Sequence, residues 1–330
     1  MSRITSQDVA RAAGVSQTTV SFVLNGRDQG ISAQTRKAVL DAADRLGYVP
    51  SAAARSLRSG RSNVVLCTLP PLPVAQAIEE FKSHLTAALR EAGYTCVFAQ
   101  VGDVDGPLSD IWRHVHPAGV LSLGTLTAAD AAALTRAGIP FIDGVLDPDR
   151  PAGNAIDQPA VGALQVHHLA ERGHRRIGFG AVSDPLERPF CEPRLAGARR
   201  ACAELGLPAP VVASLSYTRD SARKALATWT DPGAAVTAVA AFNDLVAVAV
   251  LASCRAVAVR VPDDLAIVGV DDLQVTTLVE PALSTVVLDL RSSARRLAGR
   301  LLWELPDAPS GVEQHDLPVS PLRLIQRESS

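Results

Sequence analysis

From residue 63 onward, short apolar runs alternate with amphipathic stretches, and this alternation restricts the fold more than any other feature of the chain. The first strand-like runs are "NVVLCTL", "TCVFAQV", "AGVLSLG" and "IPFIDGV", separated by helical patterns such as "AIEEFKSHLTAALREAGY". A second series begins near residue 160 with "VGALQVHHLAERG" and includes the strands "RRIGFGAV", "PVVASLS", "TAVAAFN" and "LAIVGVD". Strands that alternate with helices build parallel sheets. Two successive series predict two α/β lobes with a ligand cleft at the carboxyl ends of their strands.

The first sixty residues have a helical pattern instead. Thr5-x-x-Asp8 is a capping sequence that predicts a helix start, and Gly14 predicts the end of that helix. Ser16 is predicted to cap a second helix, and a third is predicted from about Ser32 to Leu46. Apolar residues at helical spacing form the predicted core of this head: Val9, Ala10, Ala13, Val20, Val23, Leu24, Val39, Ala43 and Leu46. Two short helices joined by a tight turn predict a helix-turn-helix.

Charge separates the head from the rest of the chain. Residues 1–61 hold nine Arg or Lys against four Asp, a net charge of +5, whereas the remaining residues hold 23 basic and 30 acidic side chains, a net charge of −7. A basic head on an acidic body predicts a polyanionic partner for the head alone. A solvated charged surface is the alternative interpretation.

The head sequence "ITSQDVARAAGVSQTTVSFVLNG" resembles the DNA-binding head of the lactose-repressor (LacI/GalR) family of bacterial regulators. The next segment, "YVPSAAARSLRSGRS", is similar to the hinge of that family, which folds into a short helix on operator DNA and wedges a leucine into the minor groove. Leu57 matches that leucine. "HHLAERGHRRIGF", "AAFNDLVAVAVL" and "VPDDLAIVGVDD" resemble motifs of the family's effector domain, which is similar to periplasmic sugar-binding proteins. The resemblance implies a DNA-binding domain at 1–50, a hinge helix at 51–61 and a two-lobed effector and dimerisation domain at 62–330.

The second helix is the predicted DNA reader. If its apolar face is buried, Gln17, Thr18, Ser21 and Phe22 face outward and fit a major groove. Family members often carry arginine at the position of Phe22; a phenylalanine cannot bond guanine but can touch a thymine methyl group. An alternative is that Phe22 folds back onto its own domain. The residues expected to contact DNA are Thr5, Ser16, Gln17, Thr18, Thr19, Ser21, Phe22, Asn25, Ala54, Leu57 and Arg58.

The head and the hinge each have a second interpretation. A three-helix head can also be a protein-binding module. Residues 51–61 can also be a plain linker with Leu57 packed on the body. An apolar wedge, in contrast, would unstack a base step and kink the duplex. An eight-residue helix rich in alanine and serine does not form alone in water, so folding on DNA would make the hinge a switch.

The resemblance also implies an effector site. In the family, the residues that match Arg194, Asn243 and Asp271 face the effector. A guanidinium offers forked donors, a carboxylate accepts from two hydroxyls and an amide does both, so the set suits a polyhydroxylated ligand such as a sugar. The alternatives are a surface ion pair for Arg194, and helix capping or turn stabilisation for Asn243 and Asp271.

Three further positions bear on the same site. Many sugar-binding members stack an aromatic ring on the ligand just before the helix predicted here from Ser221, where this chain has Asp220. Tyr217 lies three residues earlier, and the proline-rich stretch "SDPLERPFCEP" offers Phe190 to the cleft. Asp244, after Asn243, is expected to be a cap rather than a ligand group. These departures leave open a more polar or cationic effector.

Several classes of protein are disfavoured. The five cysteines have no CxxC pair and no four-ligand zinc spacing, and no Walker loop, G-x-S-x-G elbow or dinucleotide fingerprint occurs, so we expect no metal, no cofactor and no enzyme activity. No run of about 18 apolar residues is present, and the N-terminus lacks the apolar core of a secretory signal. The family resemblance, together with these absences, implies a cytoplasmic, nucleoid-associated repressor that binds palindromic double-stranded operator DNA as a homodimer. The alternative is the solute-binding protein of a sugar transporter.

Overall fold

The computed structural model describes residues 4–24, 30–48, 62–71, 76–101, 108–145, 156–305 and 322–330. The chain forms two compact units, Met1–Asn63 and Val64–Ser330. The predicted hinge at residues 51–61 lies outside the described residues, and so do its predicted DNA contacts Ala54, Leu57 and Arg58. Asn25 also lies outside them.

Within its described residues, the first unit contains the short helices α1 (Ser6–Ala13), α2 (Gln17–Leu24) and α3 (Ala33–Arg45). Thr5 caps α1 in a capping box: the Asp8 amide donates to the Thr5 hydroxyl, and the Thr5 amide donates to the Asp8 carboxylate at 2.9 Å. Gly14 ends α1 with a φ of +68°, a conformation that glycine adopts without steric cost. The predicted helix-turn-helix is confirmed.

The core of the head is formed by one face of each helix. Its buried members are Val9, Ala10, Val20, Val23, Val39, Ala42 and Ala43, and Ala13, Leu24 and Leu46 are partly buried against them. All nine predicted core positions therefore contribute. Ala42 is the addition, since it lies on the same inner face of α3 as Val39 and Ala43.

The second unit is the α/β body. Its first half contains β1 (Val64–Leu69), α4 (Gln76–Glu91), β2 (Thr95–Gln100), α5 (Leu108–Val115), β3 (Gly119–Ser122), α6 (Ala128–Arg136) and β4 (Phe141–Ile142). Its second half contains α7 (Gln158–Glu171), β5 (Ile177–Val182), α8 (Arg188–Glu204), β6 (Val211–Leu215), α9 (Arg219–Thr230), β7 (Ala238–Ala241), α10 (Asp244–Ala256), β8 (Ala266–Val270), β9 (Ser284–Val287), α11 (Leu290–Glu304) and β10 (Arg323–Ile325). Single turns of 3-10 helix occupy Pro185–Glu187 and Gln274–Thr277.

Two sheets define two lobes. Lobe 1 is built on a parallel sheet with the strand order β2-β1-β3-β4. Lobe 2 is built on a sheet with the order β10-β9-β8-β7-β5-β6, parallel except for the antiparallel edge strand β10. The predicted two-lobed body with parallel sheets is confirmed.

The lobes do not follow one another simply along the chain. Helix α11, which comes after the strands of lobe 2, packs on α4, β3 and β4 of lobe 1 and contributes Leu297 and Leu301 to its core. Strand β10 then returns to lobe 2. The expectation of two successive series is therefore incomplete, because an amphipathic pattern shows that a face is buried and not which sheet it covers.

Two glycines allow α7 and α8 to come into backbone contact. A Cβ on Gly162 would lie 1.9 Å from the carbonyl oxygen of Arg194, and a Cβ on Gly197 would lie 1.8 Å from that of Pro159. Real side chains do not tolerate such distances, so both positions require glycine. The close approach fixes the backbone of Arg194 against α7.

Helix α8 begins earlier than the sequence pattern indicates. The pattern predicts a helix from Arg194, and the structure starts it at Arg188. Pro189 lies in the first turn, where an amide hydrogen has no partner within the helix, so the ring is tolerated there. Pro193 lies inside the helix. Residues 185–193 of the proline-rich stretch are therefore helical.

Candidate functional site

The exposed face of α2 is the first candidate surface. Gln17, Thr18 and Phe22 are exposed, and Phe22 keeps 44% of its surface accessible. Phe22 does not belong to the apolar cluster of the head, so the described residues give no support to the alternative that it folds back. Thr18 and Phe22 are four residues apart and share one side of the helix.

Several polar residues of this surface form hydrogen bonds within the head itself. The Ser16 hydroxyl accepts from the Thr19 amide at 3.1 Å, as the predicted cap requires, and also bonds the Thr19 hydroxyl at 2.8 Å. The Gln17 amide nitrogen donates to the Ser6 hydroxyl at 2.8 Å, which orients Gln17 against α1. Thr19 and Ser21 are partly buried rather than fully outward-facing. Thr5 serves the cap of α1.

The second candidate site lies at the carboxyl ends of four neighbouring strands of lobe 2. Glu187 follows β5, Tyr217 follows β6, Asn243 follows β7 and Asp271 follows β8. Side chains from these positions converge because the carboxyl ends of parallel strands meet at one edge of a sheet. We call this group, with Arg194 of α8, the carboxyl-end cluster.

Arg194 is the buried cation of the carboxyl-end cluster. Only 4% of its surface is exposed. Its Nε donates to the Gln158 side chain at 2.7 Å, one terminal nitrogen donates to the Phe242 carbonyl at 2.6 Å, and the guanidinium lies 4.8 Å from the centre of the Phe242 ring. The alternative of a surface ion pair is therefore wrong. The guanidinium has further N–H groups beyond these two bonds, available to a ligand.

Asn243 has a structural and a bridging role at once. It is the N-cap of α10: its Oδ1 accepts from the Val246 amide at 2.9 Å. Its Nδ2 donates to the Tyr217 hydroxyl at 2.9 Å. The capping alternative is correct for one half of the amide, and the other half points into the carboxyl-end cluster.

Glu187 and Tyr217 form a pair that the sequence does not reveal. Glu187 is only 4% exposed, and both of its carboxylate oxygens lie within hydrogen-bond distance of the Tyr217 hydroxyl. Burial raises the pKa of Glu187, and the Tyr217 bond partly counteracts that rise. Burial and the adjacent Glu187 also raise the pKa of Tyr217, so the phenol keeps its proton and donates.

Asp271 is held in a strained backbone conformation. Its φ is +108°, and that of Asp272 is +53°, which are unusual for residues with a side chain. Arg327 anchors Asp272 at 2.7 Å, whereas the carboxylate of Asp271 accepts no hydrogen bond from the described residues. Burial raises the pKa of Asp271 to about 6, with Glu187 and Glu80 of α4 adding to the rise and Arg194 opposing it. An acceptor is thus available in the carboxyl-end cluster.

Two of the predicted effector residues lie elsewhere. Asp220 is exposed in the first turn of α9, whose cap is Thr218, so the helix begins two residues earlier than predicted and Tyr217, not Asp220, is the side chain that reaches the carboxyl-end cluster. Phe190 lies in the first turn of α8, partly buried against the lobe 2 core. For Asp220 this follows from the helix start, since a shift of two residues turns a side chain to the opposite face of a helix.

Asp244 is a structural residue rather than a ligand group. Its carboxylate accepts from the Thr285 hydroxyl at 2.7 Å and from the Leu273 amide at 2.8 Å, which ties α10 to the loop after β8 and to β9. A Cβ on Gly269 would lie 2.1 Å from its Oδ1, so the carboxylate sits directly against β8. Burial raises the pKa of Asp244 to about 7. Asn243, and not Asp244, is the N-cap.

Sequence reasoning missed Glu187 and Gln158, and it left the involvement of Tyr217 open. A signal was present for Glu187, because it follows an apolar strand just as Asn243 and Asp271 do. Within the described ranges, no three histidine, cysteine, aspartate or glutamate side chains are grouped so that they could hold a metal ion. No described helix is both long enough and apolar enough to span a membrane.

Known proteins share both units. Residues 5–51 match the family model of bacterial regulatory proteins, lacI family, and residues 166–330 match that of the periplasmic binding protein-like domain. The HTH-type transcriptional regulator CelR of Thermobifida fusca is 34% identical over 324 residues, which cover 92% of this chain and 93% of that protein. The chain belongs to the LacI family. It is a DNA-binding transcriptional regulator with a small-molecule effector domain, as predicted, and the alternative of a transporter's solute-binding protein is wrong.

Solved structures agree with this LacI-family assignment. A complex of the transcriptional regulator CelR with cellobiose superposes with a TM-score of 0.65 at 30% identity, over 99% of this chain and 100% of that one. A lac repressor dimer bound to operator and the anti-inducer ONPF superposes with a TM-score of 0.78 at 23% identity, over 99% of both chains. The second likeness supports the fold.

Proposed function

We propose that this LacI-family regulator is a repressor that binds palindromic operator DNA as a homodimer, and that a sugar bound at the carboxyl-end cluster changes its affinity for DNA. The observation that carries the effector proposal is the convergence of Arg194, Glu187, Tyr217, Asn243 and Asp271 at the carboxyl ends of four adjacent strands. A buried guanidinium and a carboxylate that accepts no hydrogen bond from the described residues together supply the donors and acceptors that neighbouring hydroxyl groups need.

The effector class follows from this mixture of polar groups. A sugar hydroxyl both donates and accepts, so it satisfies Asp271 and Arg194 at the same time. Tyr217 adds a ring that is exposed on one side while its hydroxyl is held by Glu187. Cellobiose, with which the related CelR was solved, is the first sugar to test. A cationic sugar derivative is the second ligand to test. Three carboxyl groups, those of Glu187, Asp271 and Glu80, surround the single positive charge of Arg194.

The DNA side of the proposal rests on α2 and the segment that follows the head. Gln17, Thr18 and Phe22 would face base edges in the major groove. Further residues would position α2 on the DNA or extend its contact with it: Thr5, Ser16, Thr19, Ser21 and Asn25. Leu57, with Ala54 and Arg58, would enter the minor groove and kink the duplex. The division into residues 1–50, 51–61 and 62–330 is part of the same proposal.

A homodimer is required because one short helix reads few base pairs, and two-fold symmetry matches a palindrome. Effector binding then shifts the population of lobe arrangements and, with it, hinge folding. We place the protein in the bacterial cytoplasm because its target is chromosomal DNA. No catalytic role is assigned, since each polar group of the carboxyl-end cluster is explained by capping, bridging or ligand binding.

The test begins with full-length protein and a random duplex pool. Selected duplexes are then titrated with protein while cellobiose and a panel of other sugars are added, and binding is followed by fluorescence anisotropy. We expect palindromic sequences, affinity that weakens steeply with salt, and at least one sugar that changes affinity by about tenfold. Asp271→Asn should abolish the sugar response but leave DNA binding intact.

Asp263→Asn is the matched control, because Asp263 is exposed and its ion pair within the described ranges is with Arg260 at 3.4 Å, outside the carboxyl-end cluster. It should respond to sugar as the native protein does. If Asp263→Asn and Asp271→Asn behave alike, the carboxyl-end cluster is not the effector site. If no sugar alters DNA binding and calorimetry detects no sugar binding, the effector class is wrong.

A further inference from the structure

Two cysteines of lobe 1 lie in direct contact. The sulfur atoms of Cys67 and Cys96 are 3.3 Å apart. Cys67 lies in β1 opposite Phe98, and Cys96 lies in the edge strand β2 opposite Val65, so the two are diagonal neighbours on one face of the sheet. Both are free thiols; Cys67 is buried, whereas Cys96 is partly exposed.

Their surroundings give the two sulfurs different properties. The hydrogen bond with the Cys67 thiol lowers the pKa of Cys96, burial opposes that shift in part, and the nearby Thr86 side chain on α4 adds to the lowering. The same bond to Cys96, and then burial, raise the pKa of Cys67. Cys96 is therefore the thiol that ionises first, and Cys67 is the protonated neighbour.

The other cysteines lack this arrangement. Cys191, Cys202 and Cys254 are buried in lobe 2, where burial raises the pKa of each. A low-pKa, accessible thiolate beside a second thiol is the pattern of reactive cysteine pairs, while buried single thiols are inert. The contrast within one chain sets Cys67 and Cys96 apart.

We propose that Cys67 and Cys96 are a redox-active dithiol that reacts with hydroperoxides and closes to a disulfide. The Cys96 thiolate attacks one peroxide oxygen, the O–O bond breaks, and hydroxide leaves and takes up a proton to form water. Cys96 is then a sulfenic acid. The Cys67 sulfur, after losing its proton, attacks the Cys96 sulfur; the S–S bond forms, the S–O bond breaks and a second water is released. Two thiols and one hydrogen peroxide thus give one disulfide and two waters.

The contact already brings the two sulfur atoms close to bonding distance. From 3.3 Å they must approach by roughly 1 Å to reach a covalent S–S distance. Exchange with cellular thiols is the route by which such a bond is reduced again.

The test uses reduced full-length protein and limiting hydrogen peroxide, quenched with catalase and followed by alkylation in denaturant. We expect the number of free thiols to fall from the five of the native chain to three, and peptide mass spectrometry to find Cys67 linked to Cys96. Cys96 should react about tenfold or more faster than any lobe 2 thiol. Dithiothreitol should restore all free thiols.

Single variants separate the two roles. In Cys67→Ala, dimedone should trap a sulfenic acid on Cys96, and in Cys96→Ala no disulfide should form. Cys202→Ala is the matched control and should still form the Cys67–Cys96 bond. Circular dichroism confirms that each variant is folded. If peroxide leaves both thiols free, or links Cys96 to another cysteine at an equal rate, the proposal is overturned.

Discussion

The hydroxyl of Tyr217 lies 2.8 and 2.7 Å from the two carboxylate oxygens of Glu187, and it accepts a hydrogen bond from Asn243 at the same time. One phenol therefore joins the turn after β5, the turn after β6 and the N-terminus of α10. The contact connects residues that are 30 positions apart in the chain. It also gives the buried carboxylate of Glu187 a hydrogen-bond donor in place of water.

Replacing this phenol should destabilise the body. Tyr217→Phe leaves the Glu187 carboxylate without its donor and the Asn243 amide without its acceptor, which we expect to lower the free energy of unfolding by about 1–3 kcal/mol. Urea denaturation near neutral pH measures the loss. Tyr48→Phe is the matched control, because the Tyr48 hydroxyl makes no hydrogen bond among the described residues; it should change stability by less than about 0.5 kcal/mol. Equal losses in both variants would contradict the assigned role.

Asp271 should make stability depend on pH in an identifiable direction. Its pKa is about 6 in the folded protein against an ordinary value of 3.8, so the folded state binds the proton more tightly. Ionising Asp271 therefore costs stability as the pH rises from about 4 through about 6. Asp271→Asn removes that cost. The variant should be more stable than the native protein at neutral pH by about 1–2 kcal/mol, after allowance for solvent screening, and equally stable below about pH 4.

Denaturation curves at a series of pH values measure the difference, with Asp263→Asn as the control at an exposed carboxylate outside the carboxyl-end cluster. The same Asp271→Asn variant should lose its sugar response, so stability and function should move in opposite directions. A variant that is less stable than the native protein at neutral pH would show that the carboxylate has a structural partner.

The helix contact behind Arg194 should tolerate no side chain. In Gly162→Ala, the new methyl group would collide with the Arg194 carbonyl, so α7 and α8 must separate, at a cost of about 2–4 kcal/mol. The shift should also weaken effector binding, because it moves the Arg194 backbone. Gly299→Ala on α11 is the control: its Cβ meets nothing within 4 Å, and helix propensity predicts a gain of about 0.5–1 kcal/mol. Thermal melting and calorimetry test both variants.

Phe22 should govern base preference without governing stability. Because Phe22 is exposed and lies outside the head's apolar cluster, Phe22→Arg should alter stability by less than about 0.5 kcal/mol. We expect it to change the selected bases beneath position 22 toward guanine. Leu40→Arg adds the same charge at an exposed apolar position of α3 and should raise non-specific affinity alone. Identical base selection by the native protein and Phe22→Arg would refute a reading role.

Sequence patterns are sufficient to predict a helix or strand where the capping residues and the apolar periodicity indicate the same element. The helix at Asp244–Ala256 coincides with the helical stretch "DLVAVAVLASCRA", because a capping asparagine precedes an unbroken helical pattern. The head core and the strands β1 to β8 follow from periodicity, whereas β9 and β10 are not predicted as strands. Asn243 and Asp271 follow the neighbouring strands β7 and β8, and Arg194 of α8 donates to the Phe242 carbonyl beside them. That these three side chains face an effector, as the family resemblance implies, stays a prediction.

Other features depend on contacts that no local pattern encodes. The sequence pattern misplaces the start of α8 because proline argues against helix, although the first turn of a helix tolerates the ring. It favours Asp220 over Tyr217 because it starts α9 two residues late. The pairing of Glu187 with Tyr217 requires the sheet order, which brings β5 beside β6.

Helix α11 covers lobe 1 although it is encoded after the strands β5 to β9 of lobe 2. During synthesis, the apolar side of the lobe 1 sheet and Leu85 and Leu89 of α4 must wait for a helix that leaves the ribosome much later. Lobe 2 in turn waits for Ser329, whose hydroxyl bridges β8 and β9. Neither lobe can complete its fold while the polypeptide is still being made. The nascent chain therefore exposes apolar surface to chaperones until translation is nearly finished.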